Sequence, residues 1–272
     1  MTRLGQNFLK SKNVAKRMAD EAGIQKNDAV LEIGPGQGIL TEELLKKCGK
    51  VIAVEKDPEL YEFLKQKFST EEKSKRLALI RADIRDFLKN SVRPPRFNKV
   101  VANIPYYLTG QLLRLLLSQT KFRSEKMALM LQKEVAQRIV AQTAQTKFGS
   151  KKDKMSILAI SVQVFAKTRI AFYVPRGNFR PEPKVDSAVI VLERHKKDFF
   201  RSRGINQKHF FGLVKTGFSH PRKLLKSNLQ QMSDIGCLTK CGVSEKARAE
   251  DLSLENWACL ARLSTLKRTR TK

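Results

Sequence analysis

Apolar and polar positions along the first part of the chain predict strands and helices in alternation. Short apolar runs, typical of buried strands, occupy 29–33, 51–54, 77–80, 99–102 and 127–131. The intervening segments have apolar residues three or four apart, which predicts helices; they cover 39–47, 58–68, 110–118 and 133–141, with another helix over 11–22. Strands that alternate with helices form a mainly parallel sheet covered on both faces.

The pattern changes beyond residue 142. Residues 143–154 are polar and rich in lysine, which predicts a basic loop. The apolar segments 155–165 and 187–192 are expected to complete the sheet and its cover, and short helical spacings follow from about residue 196. We therefore predict a sheet domain over residues 1–198 and a small helical domain with a basic tail over residues 199–272.

Four residues that can contact a ligand each follow a predicted strand. Gly34, Glu55, Asp83 and Asn103 stand at or just beyond the carboxyl ends of successive strands. Ligands of open parallel sheets bind beyond these ends. The order of the four residues therefore predicts one ligand site at this edge of the sheet.

The first of these strands ends in a glycine-rich turn, Glu32-Ile33-Gly34-Pro35-Gly36-Gln37-Gly38. Its third glycine comes one residue earlier than in the dinucleotide fingerprint, so a nicotinamide cofactor fits poorly and S-adenosylmethionine, which has no pyrophosphate, fits better. Glu55 lies at the distance where an acidic residue accepts from ribose hydroxyls, and Asp83 could accept from the adenine amine. The structural alternatives are a solvated strand end for Glu55 and a helix cap for Asp83.

The fourth strand ends in Asn103-Ile104-Pro105-Tyr106, which suits the binding of an exocyclic amine on a nucleobase. The Asn103 side-chain oxygen and the Ile104 carbonyl could accept its two N–H groups, while Pro105 fixes the backbone and Tyr106 offers a ring face. Phe179, in a proline-rich segment, is a second candidate for holding the base. The alternatives are a simple Asn-x-Pro turn and a core phenylalanine.

Charge supports a nucleic-acid partner. Lys and Arg number 54 against 26 Asp and Glu, a net charge of +28, and such an excess favours binding to a polyanion. Arg222, Lys223 and Lys226 lie at helical spacing, and Lys151 and Lys152 lie in the basic loop; both groups are expected to contact RNA phosphates. The alternative is a solvated surface that contributes only solubility.

Other features restrict the class of protein. No apolar run approaches the roughly 18 residues of a membrane span, and we expect a cytoplasmic protein without a membrane partner. The four cysteines include no Cys-x-x-Cys pair, so no metal site is expected. Cys237 and Cys241 are four residues apart, a spacing that favours packing on a helix, and a reduced compartment is expected.

Several motifs together resemble the ribosomal RNA adenine N6-dimethyltransferases, and most closely their small-subunit branch. The matching segments are Gly5–Leu9, Glu32–Gly36, Asn103–Tyr106, Leu131–Val135 and Pro183–Val189. The resemblance implies a Rossmann-like S-adenosylmethionine-dependent methyltransferase sheet with a small C-terminal helical domain. It also implies that Asn7 and Leu9 join Gly34, Gly36, Glu55, Asp83 and Asn103 around S-adenosylmethionine, and that Phe179 faces the target adenine.

The implied reaction is dimethylation of N6 on two adjacent adenosines in a 3′-terminal hairpin of small-subunit (16S) rRNA, coupled to small-subunit assembly, by a monomer. Lys184–Val189, Pro221–Leu229 and Arg248–Ser253 favour the small-subunit branch. The alternatives are a large-subunit enzyme of the macrolide-resistance type, a mainly non-catalytic assembly factor, and a DNA adenine methyltransferase. Gly149–Ser156 and His220-Pro221 depart from the family pattern, which puts RNA contacts there in doubt.

Overall fold

The computed structural model describes residues 7–90, 96–118, 124–142, 154–230 and 235–270. The chain divides into two compact units. The first unit comprises Met1–Gln137 and Ala166–Arg194, and the second comprises Arg138–Phe165 and His195–Lys272. No described helix combines the length and apolar composition needed to cross a bilayer.

The first unit is built on a seven-stranded mixed sheet with strand order β4-β3-β2-β5-β6-β9-β7. Its strands are β2 (Ala29–Ile33), β3 (Lys50–Glu55), β4 (Leu77–Arg81), β5 (Lys99–Asn103), β6 (Lys126–Gln132), β7 (Ala166–Val174) and β9 (Ser187–Arg194). The five strands β2 to β6 run parallel to one another, and β9 pairs antiparallel with both β6 and β7. The expectation of a mainly parallel sheet is confirmed.

Helices precede, connect and follow the parallel strands. They are α1 (Lys12–Glu21), α2 (Ile39–Leu45), α3 (Pro58–Lys67), α4 (Ser69–Lys73), α5 (Ile84–Asn90), α6 (Thr109–Ser118) and α7 (Lys133–Val140). The Asp57 side chain caps α3 by accepting from the backbone N–H of Glu59, and Pro58 occupies the first turn, where its missing N–H costs nothing. The helices and strands expected before residue 142 are confirmed, with ends within two residues.

Two elements of the sheet region differ from expectation. The segment 155–165 does not complete the sheet, because its apolar residues lie at helical spacing and form α8 (Ile157–Gln163), capped by the Ser156 hydroxyl. Ala159 and Ile160 are buried in the core of the second unit. The strand beside β9 is instead β7, an edge strand whose charged and exposed positions obscure a strand pattern.

A two-stranded sheet joins the N-terminus to a distant segment. Strand β1 (Phe8–Leu9) pairs antiparallel with β8 (Phe179–Arg180), so that Leu9 lies opposite Phe179. The backbone N–H of Lys10 also donates to the carbonyl of Asn178 (2.9 Å). This pairing places residues 7–9 beside the carboxyl edge of the large sheet.

The second unit is helical. With α8 it contains α9 (Gln207–Gly217), α10 (Leu225–Asn228), α11 (Ile235–Lys240) and α12 (Leu254–Arg270). Its core centres on Phe210 and Trp257, neither of which exposes surface to solvent. Aromatic rings provide much of this packing: Phe210 contacts Phe199, Phe200 and Phe211, and Phe218 stacks on Trp257.

The cysteines of the second unit differ from expectation. Cys241 is bonded to Cys259, with Cα atoms 5.7 Å apart, whereas Cys48 and Cys237 are free and buried. The bond forms because the chain beyond α11 brings Cys241 against α12, where the Asn256 side chain donates to the Cys241 carbonyl (2.9 Å). This disulfide is contrary to the expectation of a reduced compartment.

The end of α9 leaves no room for a side chain. A Cβ on Gly217 would lie 2.4 Å from Cη2 of Trp257 and 3.1 Å from Cδ1 of Leu225. Because both neighbours are fully buried, we expect Gly217→Ala to lower the free energy of unfolding by about 2 kcal/mol. Gly212→Ala, on the same helix with nothing within 4 Å of its Cβ, should raise it by about 0.5–1 kcal/mol. Urea unfolding of the two variants checks this, and equal midpoints would contradict it.

Candidate functional site

A cavity in the first unit lies where the central parallel strands end. Its wall contains the glycine turn, Glu55, residues 103–106, Phe179 and residues 7–9. Sheet register explains this convergence: Ile33 pairs with Val54 on one side and with Ala102 on the other. Gly34, Glu55 and Asn103 are each the next residue, so all three come to the same level at the strand ends.

The glycine turn gives a ligand access to the backbone. Gly34 has a φ of +64°, a conformation that residues with side chains rarely adopt, and nothing lies within 4 Å of the Cβ position. Gly36 has a φ of +58°, and its Cβ would lie 3.0 Å from the ring of Phe8. A side chain at Gly34 would therefore project into open space at the cavity wall, and one at Gly36 would press on β1.

Glu55 has a fixed carboxylate. Its Oε1 accepts from the backbone N–H groups of Lys56 (2.8 Å) and Asp57 (2.9 Å), and its Oε2 accepts from that of Gly36 (3.2 Å). Burial raises the pKa of Glu55, and these three N–H groups oppose the rise. A carboxylate has about four lone-pair sites, so Glu55 keeps capacity to accept from a ligand hydroxyl.

Glu32, the penultimate residue of β2, is the least solvated carboxyl group of the site. It exposes none of its surface yet lines the cavity, and within the described ranges neither carboxyl oxygen has a hydrogen-bond partner. Burial raises the pKa of Glu32 to about 8; the nearby Thr41 hydroxyl lowers it, and the charge of Glu55 raises it further. Glu32 belongs to the glycine motif, but the sequence did not indicate a role for it. An acidic residue inside a buried strand is the signal that could have identified it.

Asn103 is oriented by the N-terminal segment. Its side-chain nitrogen donates to the backbone carbonyl of Asn7 (3.2 Å). Because the amide nitrogen and oxygen lie on opposite sides of the group, this bond leaves the oxygen as the free acceptor of the side chain. The arrangement agrees with the predicted acceptor role of Asn103, and it depends on the pairing of β1 with β8.

The residues after Asn103 are held from two sides. The Ile104 N–H donates to the Met130 carbonyl of β6 (3.1 Å), and the Tyr106 hydroxyl lies 3.0 Å from the hydroxyl of Ser187 on β9. Pro105 has extended backbone angles and precedes a 3-10 turn over Tyr106–Leu108. Ser187, which is fully buried, was not identified from the sequence, because its contact with Tyr106 spans 81 residues.

Phe179, Asn7 and Leu9 reach the same cavity through the small sheet of β1 and β8. Phe179 and Leu9 are opposite partners in that sheet, and both are buried while lining the cavity. Phe8 lines it as well and was not selected from the sequence. The structure thus brings together the selected residues Asn7, Leu9, Gly34, Gly36, Glu55, Asn103, Ile104, Pro105, Tyr106 and Phe179.

Asp83 is the selected cofactor residue that does not line the cavity. Its carboxylate accepts two hydrogen bonds from the Arg85 guanidinium (2.6 and 2.9 Å) and lies 3.1 Å from the Lys56 ammonium. Arg85 holds the pKa of Asp83 well below its ordinary value. The carboxylate is thus occupied by cations of the protein, and its role toward an adenine amine stays a prediction.

The residues selected for RNA phosphates do not share a helix face. Arg222 and Lys223 are exposed in the turn before α10, and Lys226 lies on α10 with its ammonium 3.5 Å from the Glu245 carboxylate. The expectation that these three residues lie at helical spacing is wrong, because α10 begins only at Leu225, after the extended Leu224. Lys151 and Lys152 lie outside the described residues.

The open space at Gly34 gives a test of ligand binding. We expect Gly34→Ala to weaken S-adenosylmethionine about tenfold, because its Cβ enters the cavity and its φ of +64° is strained for alanine, by about 1 kcal/mol. Gly204→Ala in the second unit is the matched control, since Gly204 also has a φ of +64° and no atom within 4 Å of its Cβ. Isothermal titration should give wild-type affinity for the control; equal affinities for the two variants would contradict the prediction.

Comparisons with known proteins agree with this geometry. The family model described as ribosomal RNA adenine dimethylase matches residues 1–265. A ribosomal RNA small subunit methyltransferase A from Dehalococcoides mccartyi is 36% identical over 261 residues, which cover 93% of this chain and 84% of that protein. Among solved structures, a dimethyladenosine transferase from Plasmodium falciparum matches with a TM-score of 0.78 at 25% identity, covering 96% of this chain and 98% of that one. The 23S rRNA methyltransferase ErmE matches with a TM-score of 0.73 at 25% identity, covering 94% and 98%.

Proposed function

The chain belongs to the ribosomal RNA adenine dimethylase family, and we propose that it transfers two methyl groups to N6 of each of two adjacent adenosines in small-subunit rRNA. The target we infer is a hairpin near the 3′ end of that RNA. The observation that carries the proposal is the shared cavity of the glycine turn and the Asn103–Tyr106 turn. Curated relatives named for the small subunit support the choice of RNA.

The methyl donor that the family and fold imply is S-adenosylmethionine, and the residues of the cavity fit it. Gly34 leaves space beside the backbone, Glu55 keeps acceptor capacity for the ribose hydroxyls, and the unpartnered carboxyl of Glu32 offers an acceptor for a cationic group. When bound, the donor supplies a methyl group on positively charged sulfur. Asn7 and Leu9 would hold it from the side of β1.

The protein's part in the reaction is to position a weak nucleophile. The lone pair of an adenine amine is delocalised into the ring, and acceptance of its two N–H groups by the Asn103 side-chain oxygen and the Ile104 carbonyl favours the pyramidal, nucleophilic amine. Tyr106 and Phe179 would hold the base, which must leave its stack to enter the cavity. Rate enhancement then comes from position and electrostatic fit.

A strong general base is unnecessary in this scheme. As the new C–N bond forms and the bond between the methyl group and the donor sulfur breaks, the amine becomes acidic. One N6 proton then leaves for water, and the single remaining N–H donates to one of the two oxygens of Asn103 and Ile104. The second methylation repeats the step on an amine with one N–H. The unionised acceptors at Asn103 and Ile104 suit this role, because neither would compete for the proton before the methyl group moves.

Substrate binding would draw on the positive charge of the chain. Arg222, Lys223 and Lys226, together with Lys151 and Lys152, would contact RNA phosphates, which position the RNA without reading its sequence. We infer that the protein acts as a monomer on the small subunit or its precursor, in the cytoplasm where that subunit is assembled. The coupling of methylation to assembly belongs to the same proposal.

A large-subunit target is the second candidate, favoured by the similarity to ErmE. The deciding experiment measures labelled-methyl transfer from S-adenosylmethionine to unmethylated small subunits, to large subunits and to free RNA, with mapping of the modified base. We expect dimethyladenosine in the small subunit alone. Label in large-subunit RNA would replace the proposed substrate, and no label on any of the three would contradict the enzymatic proposal.

A further inference from the structure

Three large apolar side chains of the first unit are exposed at the sheet edge that holds the cavity. Tyr107 is 65% exposed, Tyr173 is 49% exposed and Val185 is 38% exposed. Tyr107 follows the Asn103–Tyr106 turn, Tyr173 is the penultimate residue of β7, and Val185 lies two residues before β9. Exposed aromatic rings beside a site for a nucleobase can stack on neighbouring unpaired bases.

The aromatic ring of Tyr173 lies close to the ammonium group of Lys133. The Lys133 ammonium lies 5.3 Å from the ring centroid, within the range of a cation–π interaction. Lys133 begins α7 directly after β6, and its backbone N–H donates to the Asp186 carbonyl (3.0 Å). The next residue, Ser187, meets the hydroxyl of Tyr106. Continuous backbone therefore fixes the pair of Tyr173 and Lys133 relative to the base-binding turn.

Tyr107 lies beside Tyr106 at the end of β5, two residues before α6, and α6 packs against α5. Strand β7, which carries Tyr173, lies three strands from β5 in the sheet. The two exposed tyrosines therefore lie at separate points along the same edge, Tyr107 next to the base-binding turn and Tyr173 farther from it.

We propose that Tyr107 and Tyr173 are stacking platforms for unpaired nucleotides near the target adenosine, with Lys133 contacting a phosphate beside Tyr173. The inference rests on the proposed function and extends it from the target base to its neighbours. Proteins bind unpaired RNA by stacking bases on aromatic rings and by placing cations along its backbone. Tyr173 with Lys133 supplies both groups.

The spacing agrees with a short single strand. Three strand spacings separate β5 from β7, which is about 14 Å. Stacked nucleotides advance about 3.4 Å each along one strand, so Tyr173 would meet a base about four nucleotides from the target. Stacking does not depend on base identity, and the platform would therefore add affinity and orientation rather than sequence preference.

The test measures binding without methyl transfer. The probe is a fluorescently labelled RNA hairpin with two adjacent adenosines in an unpaired loop, titrated with full-length protein by anisotropy. Tyr173→Ala and Tyr107→Ala are compared with Tyr173→Phe, which keeps the ring. Phe63→Ala is the matched control, because Phe63 on α3 is 47% exposed with the Lys67 ammonium 5.8 Å from its ring centroid yet lies in the middle of its helix, away from the cavity.

We expect Tyr173→Ala and Tyr107→Ala each to weaken the hairpin about tenfold, with Tyr173→Phe and Phe63→Ala near wild type. Abasic substitution of the loop nucleotide that stacks on Tyr173 should weaken its binding to the wild-type protein by the same factor, and Tyr173→Ala should have no further effect on that RNA. The proposal of stacking platforms would be overturned if wild type and both alanine variants bound the hairpin with equal affinity. It would also be overturned if Phe63→Ala weakened binding as much as the tyrosine variants do. A wild-type protein that shows these losses but transfers no methyl group would overturn the proposed reaction alone.

Discussion

Replacing Asn103 with alanine is expected to reduce methyl transfer by about a thousandfold while leaving the fold intact. The side-chain nitrogen of Asn103 donates to the Asn7 carbonyl, which directs the side-chain oxygen to the role of acceptor for the amine. Loss of one preorganised hydrogen-bonding group at a reacting centre typically lowers kcat by about 10²–10³, and here the same group also orients the nucleophile. Single-turnover transfer of labelled methyl to small subunits is the measurement.

Two comparisons isolate the lost acceptor from other effects. The alanine variant also loses the bond to the Asn7 carbonyl, so calorimetric titration should show whether S-adenosylmethionine still binds within about tenfold of wild type. Asn103→Asp keeps an oxygen acceptor without the N–H donor and should retain more activity than alanine. Wild-type turnover in Asn103→Ala would remove Asn103 from the chemistry.

Periodicity was sufficient to predict the parallel part of the sheet because its central strands β2, β5 and β6 and the neighbouring β3 are buried on both faces. Residues 127–131 are a continuous apolar run, and residues 29–33 are apolar apart from Glu32; both are strands with the expected bounds or one residue more at each end. The position of the site followed from the same pattern. Once strands β2, β3 and β5 are parallel and in register, Gly34, Glu55 and Asn103 must meet at one edge.

Features that depend on long-range pairing were not predictable from local pattern. Strand β1 is two residues long and gains its partner, Phe179-Arg180, about 170 residues away. Asp83 was aligned with the site by its position, but a neighbour two residues along the chain, Arg85, occupies its carboxylate. The sequence pattern predicts where a residue lies along a strand or helix, but it does not predict which neighbouring group its side chain will bind.

Glu32→Gln is expected to raise the free energy of unfolding of the ligand-free protein above that of wild type, and the gain should be about 3 kcal/mol larger at pH 7 than at pH 4.5. The Glu32 carboxyl in the folded protein has a pKa of about 8 against an ordinary value of 4.5. Between these values the unfolded chain binds fewer protons than the folded chain, so stability falls as pH rises, by about 1.4 kcal/mol per unit. Glutamine has nearly the same shape and does not ionise, which removes this loss.

Urea unfolding of wild type and Glu32→Gln at half-unit steps from pH 4.5 to 8.5 measures the effect. The two stability curves should diverge with rising pH until the folded carboxyl ionises near pH 8. Glu55→Gln is the control within the same cavity. Glu55 is also buried, but three backbone N–H groups stabilise its charge, so its removal should change the slope less. Parallel curves for wild type and Glu32→Gln would contradict the prediction.

The protonation state of the Glu32 carboxyl should also change when the methyl donor binds. A cationic ligand beside Glu32 favours its ionised form, so binding of S-adenosylmethionine should lower the pKa of Glu32 and release a proton near pH 7. Titrations in buffers of different ionisation enthalpy measure this release, which Glu32→Gln should abolish. The ligand-free protein is least stable at the pH where Glu32 is ionised, and the donor should stabilise the protein most at that pH, because its positive charge would offset the burial of the carboxylate.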